Sequence, residues 1–344
     1  MHSIRDGWAD FRASPYLPAV VLLLILTTAA GLFAGSYCYA MANPAPRDIP
    51  VAVTGQGRST AFLQALDDHL DASLSVQRYP TYAKAEDAVQ EQRAFAIVVL
   101  NGPRATLDTA AASGASVARL LTQAGPAAGQ TAGVPVTVRD IKPLQPTDPQ
   151  GLAIFYISLA AVIIGFVGAI QLNVHAAALT PAPRIAFTAA YAALGGLAIC
   201  TVVDHGLGVL ALPFRESWTI SSLTMFTSGM VFTMFNALIG RWAMIPTWGL
   251  MVLIGNPSSG GAVSWPLLPF PLGTIGRWLP PGASVDAQHT AIYFHGHQRP
   301  QPFITLTAWT LACTAVYLIW HHRTQRATTP QDALEFPTSE HRGD

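Results

Sequence analysis

Residues 18–42 read PAVVLLLILTTAAGLFAGSYCYAMA, a run without a single charged side chain. A helix crosses the bilayer core with about 20 mostly apolar residues, and this run is long enough. Ala40-Met41-Ala42 resembles a small-residue cleavage site, so a secretory signal is the alternative. The apolar region of such signals is roughly 7–15 residues long, which is shorter than this run. We interpret residues 18–42 as a retained first transmembrane helix.

The rest of the chain also has the composition of a membrane protein. Of its 344 residues, 51% are hydrophobic and 11% are charged, whereas soluble domains carry about 25% charged residues. The formal net charge is zero, so the composition indicates no nucleic-acid partner. Cys38, Cys200 and Cys313 all lie in apolar stretches, which argues against a disulfide framework. We therefore expect the lipid bilayer to surround much of this protein.

Five further stretches are apolar enough to span a membrane. We predict spans at residues 151–174, 185–212, 218–240, 242–263 and 303–320, so residues 151–320 form a five-helix transmembrane domain. With the first helix, the fold class is a mainly α-helical membrane protein with six transmembrane helices.

The arginines predict the orientation of these spans. Positive residues in short flanking segments favour the cytoplasmic side. That rule groups Arg5, Arg12, Arg184, Arg241, Arg323 and Arg326. We therefore expect a multi-pass protein of the cell membrane with both termini in the cytoplasm. Residues 1–17 suit a helix lying in the membrane interface, and the polar residues 321–344 suit a disordered cytoplasmic tail.

Residues 43–150, between the first two spans, have the composition of a soluble extracytoplasmic domain. Apolar patterns predict strands at 49–53, 74–79, 94–100 and 134–141, alternating with helices at 59–74, 82–92 and 115–123. This order indicates an α/β domain with a small mixed sheet. Gly55-Gln56-Gly57 lacks the third glycine of a nucleotide-binding loop. We expect a binding or spacer module without catalytic activity, cofactor or metal.

Asp204 and His205 are a pair of polar residues inside the predicted third span. Ionisable residues within a membrane are functional candidates, which would favour proton or ion coupling. About twenty residues separate them from the cytoplasmic start of the span, however, and that places them near the outer headgroups. An interfacial cap is therefore the favoured interpretation.

Three histidines follow in the predicted outer loop. His289, His295 and His297 lie near Asp286, and a His-x-His pair with a third histidine is a pattern that can hold zinc. A polar, aromatic-rich surface loop explains the same residues, and we favour it.

The predicted fifth span is interrupted by Gly255, Asn256, Pro257, Ser258, Ser259, Gly260 and Gly261. Irregular backbone at membrane depth is tolerated only where it is buried in protein or faces a wet cavity. Residues 265–281 are apolar but contain many prolines, so we predict an external re-entrant loop over residues 257–302. A plain proline-rich loop is the alternative. The break is the candidate pathway or gate.

These phrases carry a family resemblance. The motif at 255–261, Pro280-Pro281-Gly282 after Leu279, and Tyr293-Phe294 resemble the ABC-2-type permeases of the YhgE/Pip-like branch. The layout is also similar to the membrane family of the yeast nitrosoguanidine-resistance protein. The resemblance implies a homodimer or heterodimer that exports a hydrophobic or amphipathic compound, with a separate cytoplasmic ATPase. Pro280, Pro281 and Gly282 join the candidate gating residues on this basis.

Two other functions are compatible with the sequence. The chain could be a non-transporting cell-envelope receptor or scaffold that uses its extracytoplasmic domain, although six spans exceed what an anchor needs. An intramembrane enzyme would have Asp204, His205 and the outer histidines as its candidate residues, and we expect no enzymatic activity.

Overall fold

The computed structural model describes residues 14, 16–42, 46–56, 60–70, 73–297 and 299–328. In chain order, the helices and strands are α1 (Tyr16–Met41), β1 (Ile49–Gln56), α2 (Thr60–Leu70), β2 (Leu74–Arg78), α3 (Tyr82–Gln90), β3 (Ala96–Asn101), β4 (Arg104–Thr109), α4 (Ala115–Ala132), β5 (Val136–Asp140), α5 (Ala153–His175), α6 (Pro181–Thr201), α7 (Phe214–Ile239), α8 (Met244–Gly255), α9 (Pro280–Tyr293) and α10 (Gln301–Thr328). Most of the predicted interfacial segment at 1–17 lies outside the described residues.

Five helices in the described part of the chain are long and apolar enough to cross a membrane. They are α1, α5, α6 with its π-helical extension Val202–Gly206, α7 and α10. Their bounds lie close to those of the predicted first, second, third, fourth and sixth spans. Helix α10 continues to Thr328, so the chain is still helical at residues 321–328, where a disordered tail was predicted.

The predicted fifth span differs from these five. Residues 244–255 form the shorter apolar helix α8, whose second half is π-helical, and turns follow from Asn256. Pro257 has no backbone N–H to continue a helix, and Gly260 has a φ of +82°. The described chain therefore has five candidate spans and one shorter apolar helix, where six spans were predicted.

Helix α7 lies at the centre of the membrane-type helices and contacts α5, α6 and α10. Small residues bring the backbones together: a Cβ added at Gly165 of α5 would lie 2.5 Å from the Met225 carbonyl oxygen. Ser228 of α7 donates to the Val162 carbonyl oxygen at 2.7 Å. Helices in membranes typically approach each other closely at glycines, and hydroxyl side chains typically form hydrogen bonds between them.

The sheet has the strand order β2-β1-β3-β4-β5. Neighbouring strands are parallel except β3 and β4, which are antiparallel. The prediction of a small mixed sheet is confirmed, but β4 was missed. A two-residue turn joins Asn101 to Arg104, and Gly102 supplies the φ of +58° that it needs.

Alternating side chains give the sheet two cores. Val51, Val53 and Val98 are buried together with α2 and α4, and Ala52 and Ile97 are buried with α3 on the other face. The first core also includes Ala40 of α1 and the buried residues Val263, Leu267 and Leu268. The sheet therefore packs directly on the end of the first helix and on the segment that follows α8.

The side chain of Asp108 in β4 lies on the α3 side of the sheet and is completely buried. It accepts hydrogen bonds from the Arg139 guanidinium, through Nε and, at 2.9 Å, through Nη2. The Tyr82 hydroxyl donates to it at 2.9 Å. The pKa of Tyr82 is raised to about 12, mainly by burial and next by this hydrogen bond to a carboxylate. These contacts join α3, β4 and β5 around one buried charge.

We predict that Asp108→Asn destabilises the protein. The amide cannot accept from both arginine nitrogens and the tyrosine, so we expect a loss of about 1–3 kcal/mol, typical of an unsatisfied buried polar group. Thermal unfolding of the detergent-purified full chain measures the change. The matched control is Asp87→Asn, which removes an exposed pair with Lys84 and should change stability by less than about 0.5 kcal/mol. Equal effects of the two substitutions would contradict the role of Asp108.

Candidate functional site

Helix α9 is a polar helix that is almost wholly buried. Ser284, Asp286, Gln288 and Thr290 are each less than 5% exposed, and the helix packs against α5, α7 and α10. Pro280 occupies its first position after the extended Leu279. Proline fits there because first-turn N–H groups have no partner within the helix. A helix of this composition is stable inside a protein only when its polar groups find partners.

The side of α9 that faces the spans finds those partners on α5 and α7. The Ser284 hydroxyl donates to Ser158 of α5 at 3.1 Å and accepts from Thr224 of α7 at 2.9 Å. The Gln288 amide donates to the Ser217 carbonyl oxygen of α7 at 3.1 Å. These bonds hold α9 beside the beginning of α7.

The side of α9 that faces the sheet contains an ion pair. Arg299 donates to the Asp286 carboxylate, and the same guanidinium donates to Gln92 at 3.2 Å. Gln92, which follows α3, donates to Thr290 at 2.9 Å. Burial raises the pKa of Asp286, while the charges of Arg299 and Arg277 oppose that rise. The pair and Gln92 connect the sheet to α9 and to the segment before α10.

The candidate gating motif lies against this helix. A Cβ added at Gly255 would lie 2.8 Å from Pro281 Cγ, and one at Gly282 would lie 2.0 Å from the Gly276 carbonyl oxygen. Asn256, Ser258 and Ser259 are at most 1% exposed. Gly255 is therefore needed for close packing between residues 253–264, which we call the broken segment, and α9. Gly282 is needed for close packing between α9 and the turn that contains Gly276. Whether the motif gates a pathway stays a prediction.

The broken segment satisfies its backbone groups with nearby side chains. The Ser36 hydroxyl of α1 donates to the Leu253 carbonyl oxygen. The Trp265 indole donates to the Ser258 carbonyl oxygen at 3.2 Å. The Ser264 N–H donates to Ser116 of α4 at 2.9 Å. The irregular backbone is thus buried in protein, which is one of the two conditions under which it is tolerated at membrane depth.

Helix α1 is joined to the motif by a second polar contact. The Asn256 side-chain amide donates to the Tyr37 hydroxyl at 2.6 Å. One turn earlier on α1, the Phe33 ring stacks on Trp248 of α8, with centroids 6.3 Å apart. The C-terminal end of α1 and the broken segment therefore form one packed unit.

A small cavity of about 30 Å³ lies where the motif, α9 and the sheet meet. Gly260 and Gly261 line it, together with Asp286, His289 and Ser113. His289 Nδ1 and Ser113 Oγ are buried without hydrogen-bond partners among the described residues. Burial lowers the pKa of His289 to about 4, so its ring is neutral at pH 7. The cavity therefore has a polar lining and a neutral histidine.

Asp204 and His205 lie elsewhere, in the π-helical turn that ends α6. Asp204 Oδ2 is 3.5 Å from His205 Nδ1, and the two side chains are 22% and 68% exposed. The Asp204 carbonyl oxygen accepts from the Gly208 N–H at 3.1 Å. The interpretation of this pair as an interfacial cap stays a prediction.

The three outer histidines do not come together as a metal site. His289 is enclosed in α9, whereas His295 and His297 are exposed after the end of that helix. In the described ranges, no group of three or more His, Cys, Asp or Glu side chains is arranged to hold a metal ion. The sequence pattern identified candidate ligands that the fold separates.

We predict that Asp286→Ala destabilises the full chain by about 3 kcal/mol, because it leaves the Arg299 charge in a mostly buried position. Arg299→Ala in the same chain should recover part of that loss. A thiol-reactive dye can follow unfolding in detergent in a Cys38→Ser background, because Cys200 and Cys313 are buried. Asp204→Asn is the control and should cost less than about 0.5 kcal/mol. Purely additive effects of the two alanines would contradict the coupling.

Comparison with known proteins assigns no family to this chain. No protein-family model, no curated protein and no solved structure matches it. The function of the site therefore has to be inferred from its own residues.

Proposed function

We propose that the chain is an ABC-2-type, permease-like membrane subunit that exports a hydrophobic or amphipathic compound. The observation that carries the proposal is a groove of about 750 Å³ between α1 and α8. Leu24, Leu32 and Phe33 of α1 and Ile245 and Trp248 of α8 contribute to its apolar walls. Pockets for small ligands have volumes of roughly 300–1,000 Å³ and are lined mainly by apolar side chains.

The position of the groove supports entry from the lipid. Helix α1 has no buried residue in its most apolar window, so one side of the groove is open to the membrane. At its outer end the groove stops where Tyr37 and Asn256 join α1 to the broken segment. We infer that a lipophilic compound enters from the inner half of the bilayer, and that outward release requires this junction to open.

Six crossings are part of the proposal, and the contacts of the broken segment support them. Asn236 near the end of α7 bonds Asn173 near the end of α5 at 2.9 Å, whereas Ser217 at the start of α7 bonds α9. Helix α8 begins just after the end of α7, and residues 263–268 pack into the sheet core, near the start of α7. A chain that runs in this way from one end of the bundle to the other would cross the membrane, and this supports the proposed sixth crossing.

In the proposed topology, the sheet lies outside and both termini lie in the cytoplasm of a multi-pass cell-membrane protein. The arginine distribution supports the orientation, with Arg184, Arg241 and Arg323 at the end of the bundle away from the sheet. ATP hydrolysis would occur on a separate subunit, since the sequence has no Gly-x-x-x-x-Gly-Lys-Ser/Thr loop. The segment between α5 and α6 would contact that subunit, and two membrane subunits, identical or related, would pair.

A specific observation favours the alternative function, a cell-envelope receptor or scaffold. A second cavity, of about 620 Å³, lies between the sheet and the segment before α9. Arg47, Asp48, Trp265, Phe270 and Arg277 are among its lining residues, and the Arg277 guanidinium lies 4.5 Å from the centre of the Trp265 ring. Such a surface could bind an amphipathic ligand without any transport.

A mild-detergent pull-down of the tagged full chain from its native membrane distinguishes the two functions. For an exporter subunit we expect a stoichiometric ATPase among the co-purified proteins, identified by mass spectrometry. Recovery of only the chain itself or of other cell-envelope proteins would argue against the permease and favour the receptor.

We also predict that Ala29→Trp, which fills the groove, reduces energy-dependent efflux of the lipophilic dye rhodamine 6G from cells by roughly tenfold, as expected when a bound group is excluded at a cost near 1.4 kcal/mol. Ala34→Trp is the matched control, because Ala34 is exposed on the same helix and does not line the groove. Efflux that is equal in both variants would contradict the role of the groove.

A further inference from the structure

A cavity of about 280 Å³ lies at the end of the helix bundle away from the sheet. It is lined by the ends of α5, α7 and α10 and by the beginning of α6. Its polar lining includes Asn173, Arg184, Asn236, Tyr317 and His321. The cavity shares no lining residue with the groove between α1 and α8.

Arg184 is the charged residue of this lining, and it is 8% exposed. Its guanidinium donates to Asn173 Oδ1 at 3.1 Å and to the carbonyl oxygens of Ala176 and Ala177 at 3.4 and 3.1 Å. All three acceptors are neutral. The ion pairs among the described residues do not include Arg184. A buried charge without a counter-charge is costly, so this position favours an anion.

A purely structural role explains only part of this arrangement. The two carbonyl oxygens lie just after α5, where the helix dipole supplies partial negative charge, so Arg184 fastens the end of that helix. The surrounding sequence adds no carboxylate: residues 170–186, 234–246 and 316–328 contain no Asp or Glu. The same segments contain His175, Arg241 and Arg323, so they carry positive charge without a compensating carboxylate.

We propose that this cavity binds the phosphate of an anionic phospholipid from the cytoplasmic leaflet. Trp320 lines the cavity and is also 40% exposed, next to the exposed apolar residues Leu318 and Ile319 of α10. The cavity therefore borders the surface that faces lipid. Tryptophan is enriched at the level of the headgroups, and clustered arginines beside a span attract anionic lipids. The site does not depend on the exporter function.

The test uses Asn173→Asp, which gives Arg184 an internal carboxylate with almost no change of shape. Thermal unfolding of the detergent-purified full chain is followed while phosphatidylglycerol, phosphatidylcholine or inorganic phosphate is added, because a ligand of the folded state raises the midpoint. Phosphatidylglycerol should stabilise the unsubstituted protein, and its apparent affinity should fall by about tenfold in Asn173→Asp, as expected for the loss of one charge-assisted phosphate contact. Phosphatidylcholine should have a smaller effect and no dependence on the variant.

Two further variants keep the outcome interpretable. Thr324→Glu places a carboxylate at the rim without removing the hydrogen bonds of Arg184, and it should weaken phosphatidylglycerol to a similar extent. Arg104→Gln removes an exposed charge of β4, in the sheet and therefore at the opposite end of the molecule from the cavity, and it should leave the affinity unchanged. Equal affinity in Asn173→Asp and the unsubstituted chain would overturn the proposal, as would an equal stabilisation by inorganic phosphate. Loss of a co-purifying protein with unchanged lipid affinity would assign the site to an acidic partner instead.

Discussion

The backbone of a chain inside a membrane must bond within the protein, because lipid offers no hydrogen bonds. At Asn256 this chain leaves its helical path, and its backbone groups need other partners. Ser36 of α1, Ser116 of α4 and the Trp265 indole provide them. Helix α9 covers the same region, with Pro281 close to Gly255. The packing of α1, the sheet and α9 around one point thus follows from the single break at the end of α8.

This arrangement gives the molecule two differently built halves. Around the break, every element is joined to several others, through Tyr37–Asn256, Asp286–Arg299 and Gln92–Thr290. Toward the opposite face, α1 separates from α8 and leaves an apolar groove that is open to lipid. In the proposed exporter, the apolar groove is where the lipophilic compound enters, and the polar junction is the gate.

Local sequence was sufficient to predict the bounds of those helices and strands that have a strong hydrophobic pattern. The uncharged run that begins α1 and the apolar run of β3 were predicted close to their observed bounds, because each is defined by its own residues. Strand β4 was missed, since Arg104–Thr109 is short and its burial depends on Asp108 meeting Arg139 from β5. The fifth span was predicted too long, because its apolar composition continues past the point where Pro257 and the glycines end the helix.

The candidate site was predicted only in its backbone-breaking residues. The glycines and prolines at 255–261 and 280–282 are visible in sequence because they alter the chain locally. Asp286 and Arg299 were visible as outer-loop charges, but their pairing and the link to Gln92 depend on how distant segments pack. Tyr37 likewise carries no signal of its bond to Asn256. Burial of Arg184 had no local signature either, because a flanking arginine usually lies in water.

The most direct test is the accessibility of two single cysteines, one on each side of residues 244–264, which are proposed to cross the membrane. Arg241→Cys and Phe270→Cys, each exposed, are made in a background with Cys38, Cys200 and Cys313 replaced. A membrane-impermeant maleimide is then added to intact cells. If residues 244–264 cross the membrane, a cysteine at position 270 is labelled from outside. A cysteine at position 241 is then labelled only after the membrane is permeabilised. Labelling of both positions from the same side would show that residues 244–264 do not cross, and would contradict the account.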